Sequence, residues 1–548
     1  MLVVALTACM GAASAQNPAD RENPGAGRDP RLSEGQIAPV LEGLGDYSMP
    51  VTVATPRTQL FFDQGFRLSY AFNHKEAVRA FDEAIRLDPK CAMAHWGRAL
   101  ALGPNINMTL VRESGLQAYE SIQNAVALKK NVSPKEADLI DALAQRFEMD
   151  PKDDRVHLDA AYADAMATLV SKYPDDLDIA TLYAAALMNT NPWDYWWPDG
   201  QPYETTMKAD NALRSVLERN PSHPGSCHYF IHLMEAFHPE RAEDAADNLA
   251  PLMPGAGHIV HMPAHIYMRV GRYREAYDAN VKAVAADEGY ITQCRAQGIY
   301  PLGYYPHNIH FMWFAASEYG RSADAIAAAR KTASKSPVNV LDLAPNLERM
   351  FTTPYLALVR FGKWDAVLAE PEPPEGVDYG RAIWHFARGN AYRAKGELKR
   401  AQKELDSLKA LRRDGVIRTS RIDHREILDV ASMCLEAEIA AKRGDFDKAV
   451  SLLESAVRQE QILGYTEPPY WHAPVRLSLG AVLLEADRAH EAEVVYWEAL
   501  RRHPENGWIL FGLWQSLDAQ GKPSAAMIKE RFDKAWDTNS VTLHASRF

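Results

Sequence analysis

Small, large apolar and helix-stopping residues recur along this chain with a period far longer than one helix turn. From Phe61 to Pro89, the residues Gly65, Ala77, Phe81, Ala84 and Pro89 fall at offsets 8, 20, 24, 27 and 32 of a 34-residue frame. A small residue at 8 and another at 20 let two antiparallel helices approach closely, a larger apolar residue at 24 fills their interface, and proline at 32 stops the second helix. Later units keep the register: Gly389, Tyr392, Gly396, Ala401, Leu405 and Leu408; Gly444, Ala449, Leu453 and Ala456; Gly480, Ala492, Tyr496, Ala499 and Pro504. Trp508 and Gly512 open a terminal cap. Between these, Ala276 and Ala283 follow Gly271, Ala325 and Pro337 follow Gly320, and degenerate units end at Pro174, Pro221 and Pro254. The pattern predicts helical hairpins throughout, which stack by adding units and need no separate second fold to account for the length.

Sustained from Leu60 to Trp536, this spacing resembles the tetratricopeptide-repeat superfamily. The resemblance implies an all-α, right-handed superhelical solenoid of antiparallel helix pairs, with first helices lining a concave groove that binds a protein, peptide or small molecule. The stretch FNHKEAVRAFDEAIRLDPKCAMAHWGRALALGPNIN is similar to a bacterial exported subgroup with no settled activity. The expected organisation is a signal peptide at 1–15, a flexible linker at 16–45, N-terminal repeats at 46–190, histidine-rich degenerate repeats at 191–345, and C-terminal repeats with a cap at 346–548.

Composition narrows the function. In 548 residues, 60 Lys and Arg stand against 72 Asp and Glu, a net charge of −12 with no compact basic stretch, which disfavours a nucleic-acid platform. The 47% hydrophobic and 24% charged content is that of a folded protein. No apolar run after residue 15 is long enough to cross a bilayer. Leu2–Ala15 is apolar or small almost throughout, and Ala13-Ser14-Ala15 has the form of a signal-peptidase site, although no positively charged segment precedes it. Leu6-Thr7-Ala8-Cys9 equally fits a lipobox, with a lipid anchor at Cys9 as the one route to a membrane. Both readings place the protein outside the cytoplasm, in the periplasm or envelope. Five cysteines, Cys9, Cys91, Cys227, Cys294 and Cys434, are too few and too scattered for a disulfide scaffold, and spacing does not assign pairs.

Histidine is the residue out of proportion. Nine of the 18 (His223, His228, His232, His238, His258, His261, His265, His307 and His310) lie within 88 residues. His228, His232 and Glu235 are spaced i, i+4, i+7, and on a helix they project within about 60° of one another. Two imidazoles and a carboxylate form the ligand set of His₂Glu zinc and facial-triad iron sites. His258, His261 and His265 are spaced i, i+3, i+7, but Pro263 requires either a helix beginning near Met262 or one that starts near Gly257 and kinks. His307 and His310 follow Pro306 at i, i+3. In the repeat frame these positions are groove-facing in the family that the chain resembles. A single helical histidine is ordinarily a hydrogen-bonded core residue. Seven at equivalent positions on three helices would instead carry a heavy desolvation cost without an ion or an anionic ligand. The expected cofactor is a transition metal, with zinc, copper and iron all compatible and Met262 favouring copper.

Accessory groups are expected from two loops. Asp194 and the aromatics Trp193, Trp196 and Trp197 would wall or cover the groove, or else pack an inter-repeat loop. Gly289–Pro306, carrying Tyr304 and Tyr305, lengthens the interval from Gly271 to Gly320 to 49 residues and reads as a covering or surface loop. Asn73-His74 reads as a hairpin turn with a capping role, and His95-Trp96 and Asn105-Ile106-Asn107 as groove borders. There is no phosphate loop, nucleophile elbow or dinucleotide fingerprint. Two functions fit: a metal site with hydrolytic or oxidative chemistry, or a non-enzymatic envelope scaffold that binds a protein or peptide.

Overall fold

The computed structural model describes residues 35–152, 154–294, 303–342, 344–419, 422–537 and 541–548. The expected signal segment with Cys9 and the linker up to residue 34 lie outside them. The described residues are all-α, with isolated bridges and no strand among them. They form two compact units: one runs to Ile266 and resumes over Lys282–Tyr304, and the other comprises Tyr267–Val281 and Tyr305–Phe548.

In the first unit, helices α1 (Pro56–Tyr70), α2 (His74–Leu87), α3 (Ala92–Leu102), α4 (Arg112–Leu128), α5 (Pro134–Ala144), α6 (Val156–Lys172), α7 (Leu177–Thr190), α8 (Glu204–Arg219), α9 (Pro224–Met234), α10 (Glu243–Leu249) and α11 (Gly257–His261) follow in order. α12 (Pro263–Val270) and α13 (Tyr273–Cys294) carry the chain from one unit to the other and back. The second unit continues with α14 (Tyr305–Glu318), α15 (Ser322–Ser334), α16 (Asn346–Phe351), α17 (Thr353–Arg360), α18 (Trp364–Ala369) and α19 (Asp378–Ala394). It ends with α20 (Leu398–Asp414), α21 (His424–Lys442), α22 (Phe446–Ile462), α23 (Val475–Glu485), α24 (Ala489–Arg502), α25 (Gly507–Ala519) and α26 (Ala525–Ala535). Within each unit, consecutive helices joined by short turns pack as antiparallel pairs, and the pairs stack along the chain.

The repeat positions do what their spacing predicts. The Phe81 ring on α2 is fully buried between Gly65 on α1 and Gly97 on α3, and a Cβ at those glycines would lie 2.8 and 2.3 Å from it. Tyr496 on α24 is held in the same way by Gly480 on α23 and Gly512 on α25, with a Cβ 2.3 and 2.2 Å away. The missing side chains thus set how closely neighbouring helices approach. Helix starts follow local chemistry: Thr55 accepts from the Thr58 N–H ahead of Pro56, and Ser133 and Glu136 form a reciprocal capping box.

The hairpin turns share one geometry, and glycine is not its only occupant: Asp487, between α23 and α24, takes φ 58° with Arg488 N–H donating to Leu483 O. Gly271, Gly320, Gly396 and Gly444 all take positive φ, between 78° and 89°, in the turn joining the two helices of a pair. In the first hairpin that place belongs to Phe72, at φ 56°. Backbone bonds confirm the equivalence: Asn73 N–H donates to Leu68 O as Arg321 N–H donates to Ala316 O and Asp445 N–H to Ala440 O. A bulky L-residue in this conformation is costly, so the contacts of its ring must offset the strain.

Three expectations are refined. The Pro263 alternatives resolve as a helix that starts at Gly257 and is interrupted at Met262, because Pro263 brings no N–H to continue the ladder. The stretch Gly289–Cys294 is not loop but the end of α13, and the segment 295–302 lies outside the described residues. Asn73 precedes α2 without a side-chain capping bond. Cys91, Cys227 and Cys434 are buried free thiols, and no helix among the described residues is long and apolar enough to cross a membrane.

Candidate metal centre

The α9 helix begins at Pro224, whose missing N–H costs nothing in the first turn, with His223 Nδ1 accepting from the Ser226 N–H as the cap. The i, i+4 spacing then stacks His228 and His232 on one face, and α11 brings His258 against them. His228 is fully buried, and His232 and His258 are each 3% exposed. His228 Nε2 lies 3.1 Å from His232 Nε2 and 3.1 Å from His258 Nε2. The three ligand atoms fall within 4.8 Å of one another.

Hydrogen bonds on the outer ring nitrogens fix which of these atoms carry protons. His228 Nδ1 is 2.6 Å from the Tyr70 carbonyl, which can only accept, so Nδ1 holds the proton and Nε2 a lone pair. His232 Nδ1 is 2.9 Å from Glu235 Oε1, which leaves its Nε2 with a lone pair as well. Two lone pairs therefore face each other at 3.1 Å.

The arrangement is doubled on α11 and α12. His261 Nε2 lies 3.0 Å from His265 Nε2, and His265 Nδ1 is 2.5 Å from Glu235 Oε2. Glu235 is fully buried and sits behind both pairs, one oxygen on each. The i, i+7 spacing predicts it beside His228 and His232 as a ligand; the structure turns it to the Nδ1 atoms instead, the place of an orienting carboxylate.

Electrostatics favours neutral rings in the first group and a charged carboxylate behind them. Burial pushes His228 and His258 well below the ordinary imidazole range, reinforced by neighbouring histidines. Burial also lowers His232, against the pull of Glu235. Burial opposes ionisation of Glu235, but His265 and His232 hold its carboxyl well below the usual range.

Aromatic rings enclose the cluster. Phe72 lies over all three of the first group, with centroids 4.3 Å from His228, 5.7 Å from His232 and 5.5 Å from His258. Trp193, at φ 66°, meets His232 edge-on at 5.2 Å, and Tyr304 packs on His258 at 4.6 Å. Asn107 ties these two together, donating to Tyr304 Oη and accepting from Trp193 Nε1. Trp193, Tyr304 and Asn107 thus adjoin the first histidine group. Phe72 carries only one signal in the sequence, an aromatic in a turn where most other hairpins have glycine.

The remaining candidates have contacts of their own. Trp196 Nε1 donates to Leu233 O and its ring packs on His238, which anchors the loop. Trp197 is 54% exposed against Tyr203, and Asp194 is exposed and accepts from Tyr203 Oη. Met262 is buried at the break between α11 and α12. His307, His310 and Tyr305 belong to the second unit. There His310 stacks on Trp313 at 5.1 Å, His307 meets Phe311 at 5.0 Å, and Tyr305 is flanked by Lys331 and Lys335.

No protein-family model matches the chain, and no curated protein matches it. Solved structures similar to it include a human IFIT1 dimer with m7Gppp-AAAA (12% identity, 88% of this chain and 91% of that one, TM-score 0.31). Yeast Tom70 is similar at 12% identity over 88% and 93% of the two chains, with TM-score 0.27. The P58(IPK) TPR domain is similar at 13% identity over 85% and 98%, with TM-score 0.23.

Proposed function

We propose that this protein is a TPR-like helical-repeat protein that binds a transition-metal ion between Nε2 of His228, Nε2 of His232 and Nε2 of His258. The observation that carries this reading is the pair of lone pairs pointed at each other at 3.1 Å in a buried space. A cation between them turns that repulsion into two bonds. Ligands at zinc–nitrogen distances around a tetrahedral ion stand about 3.3 Å apart, close to the spacing seen. His261 and His265, backed by the other oxygen of Glu235, offer the start of a second site.

Neutral imidazoles without thiolate suit zinc, copper or iron. Three protein ligands leave a fourth position for water or substrate, the ligand count of catalytic rather than closed structural zinc sites. The chemistry that such an ion supplies is hydrolytic with zinc and oxidative with copper or iron. This chain's contribution is to fix the tautomers through Tyr70 O and Glu235 and to limit water with Phe72, Trp193 and Tyr304. Export to the envelope is part of the same reading and rests on residues 1–15.

Elemental analysis of the purified full chain tests it. Near-stoichiometric metal is expected, with His232→Ala losing it at unchanged helical content. Protein that carries no metal and takes up none of Zn²⁺, Cu²⁺ or Fe²⁺ would overturn the proposal and leave the docking-scaffold reading.

A further inference from the structure

A small pocket lies in the first unit, outside the histidine cluster and sharing a wall with it. Its walls come from α1, α2, α3, α6, α7 and α9, and include Tyr70 and Tyr229, the first of which supplies the carbonyl that faces His228. The volume open to the centre of a water molecule is about 40 Å³. At 10–15 Å³ for one water, that is room for roughly three waters, or for an acid of two or three carbons.

Three polar side chains lining this space have buried atoms with no hydrogen-bond partner: an Nη2 of Arg146, Oδ1 of Asn189, and both ring nitrogens of His74. Arg146 is only 2% exposed. Its Nε is committed to Asp159 at 3.0 Å, but Asp159 is shared with Arg155 at 3.1 Å, so this trio keeps one positive charge in excess. A buried guanidinium N–H without an acceptor is costly, and a carboxylate is its natural partner. Asn189 Nδ2 donates to Ala185 O, which leaves Oδ1 for a donor. Burial lowers His74 to about 4, so it is neutral, with one donor and one acceptor nitrogen.

We infer that this cavity binds a small α-hydroxy or α-amino carboxylate, with the carboxylate on Arg146 and the hydroxyl or amine on Asn189. His74 offers a further contact, and Phe66, Tyr70, Tyr162 and Tyr229 supply the apolar wall. The His74 ring stacks on Phe72 at 5.6 Å, so one aromatic layer separates the bound acid from the histidine cluster. The site stands without any metal, since none of its groups is a proposed ligand.

The probe is glycolate, titrated calorimetrically into the full chain both as purified and after chelator treatment. Saturable binding of one glycolate per chain is expected in both states, with neutral glycolamide failing to compete. Asn189→Asp, which is isosteric and sets a negative charge against the ligand, should weaken binding at least about tenfold. Arg146→Gln should do likewise. If that variant misfolds, Asn189→Asp decides. Absence of saturation, binding that Asn189→Asp leaves unchanged, or binding that vanishes with chelation would overturn the inference, the last by placing the acid on an ion instead.

Discussion

Glu235 holds two imidazoles by their outer nitrogens, and its replacement tests whether that grip matters. Gln at this position accepts with one end only, and its amide N–H₂ would then face the Nδ1–H of either His232 or His265. One ring must turn or move its proton to Nε2, and either way its inner lone pair is lost to an ion. Glu235→Gln is therefore expected to weaken metal binding by about 10- to 100-fold while the helices persist. Competition against a chromophoric chelator reads this directly; an unchanged affinity would mean that the rings are oriented by packing alone. At this scale the sequence was informative about residue types and weak about their roles. The spacing of His228, His232 and Glu235 predicted a shared face, which is correct, but face-sharing does not say whether a carboxylate points at an ion or at a ring. That depends on His265, on another helix, just as the tautomer of His228 depends on Tyr70 O, 158 residues away, and no local pattern reveals either. Phe72 was hidden for a related reason: its meaning lies in the backbone angle that it shares with Gly320 and Gly444, not in its own neighbours.

Helices in this chain are positioned by what glycine omits. A methyl group at Gly97 would sit 2.3 Å from the Phe81 ring, which is itself fully buried and hemmed in by Gly65 on the other side. Gly97→Ala gains helix propensity of up to about 1 kcal/mol, yet the overpacking should dominate and lower stability by about 1–3 kcal/mol. Urea unfolding followed by circular dichroism checks the sign, and Phe81→Leu in the same chain should recover part of the loss. Such elements were legible because the repeat presents the same contact several times, as Gly480 and Gly512 do around Tyr496. Where a proline interrupts a helix the pattern was ambiguous. Pro263 permitted two readings, and the interruption at Met262 combines them, with His258 and His261 on one side and His265 on the other.

For the molecule as a whole, acid is the stress that its buried histidines predict. In the second unit, burial lowers His424 to about 3, with Arg349 adding to the effect against Asp423, and burial with Arg360 lowers His472 to about 3. Both folded values lie below the unfolded value near 6.5, so the unfolded chain binds more protons below that pH. Their contribution to stability is complete above pH 6.5 and is lost as pH falls toward 3, at up to about 1.4 kcal/mol per pH unit for each ring. Denaturation midpoints should hold nearly level from pH 7.5 to about 6.5 and fall from there to pH 4.5, and His424→Asn with His472→Asn should flatten the fall. The all-α repeat architecture was readable from periodicity across several hundred residues. The division into two units was not, because it falls within α12 and α13, where the helical pattern runs on without a break in composition.

A single carboxylate placed between two imidazole pairs also makes them thermodynamic neighbours. Whatever draws electron density from His232 draws on Glu235, and so changes the hold of its other oxygen on His265. Linkage requires the influence to be reciprocal and equal in free energy. Filling one group should then change the affinity of the other, so that the occupancy of one is reported by the affinity of its neighbour.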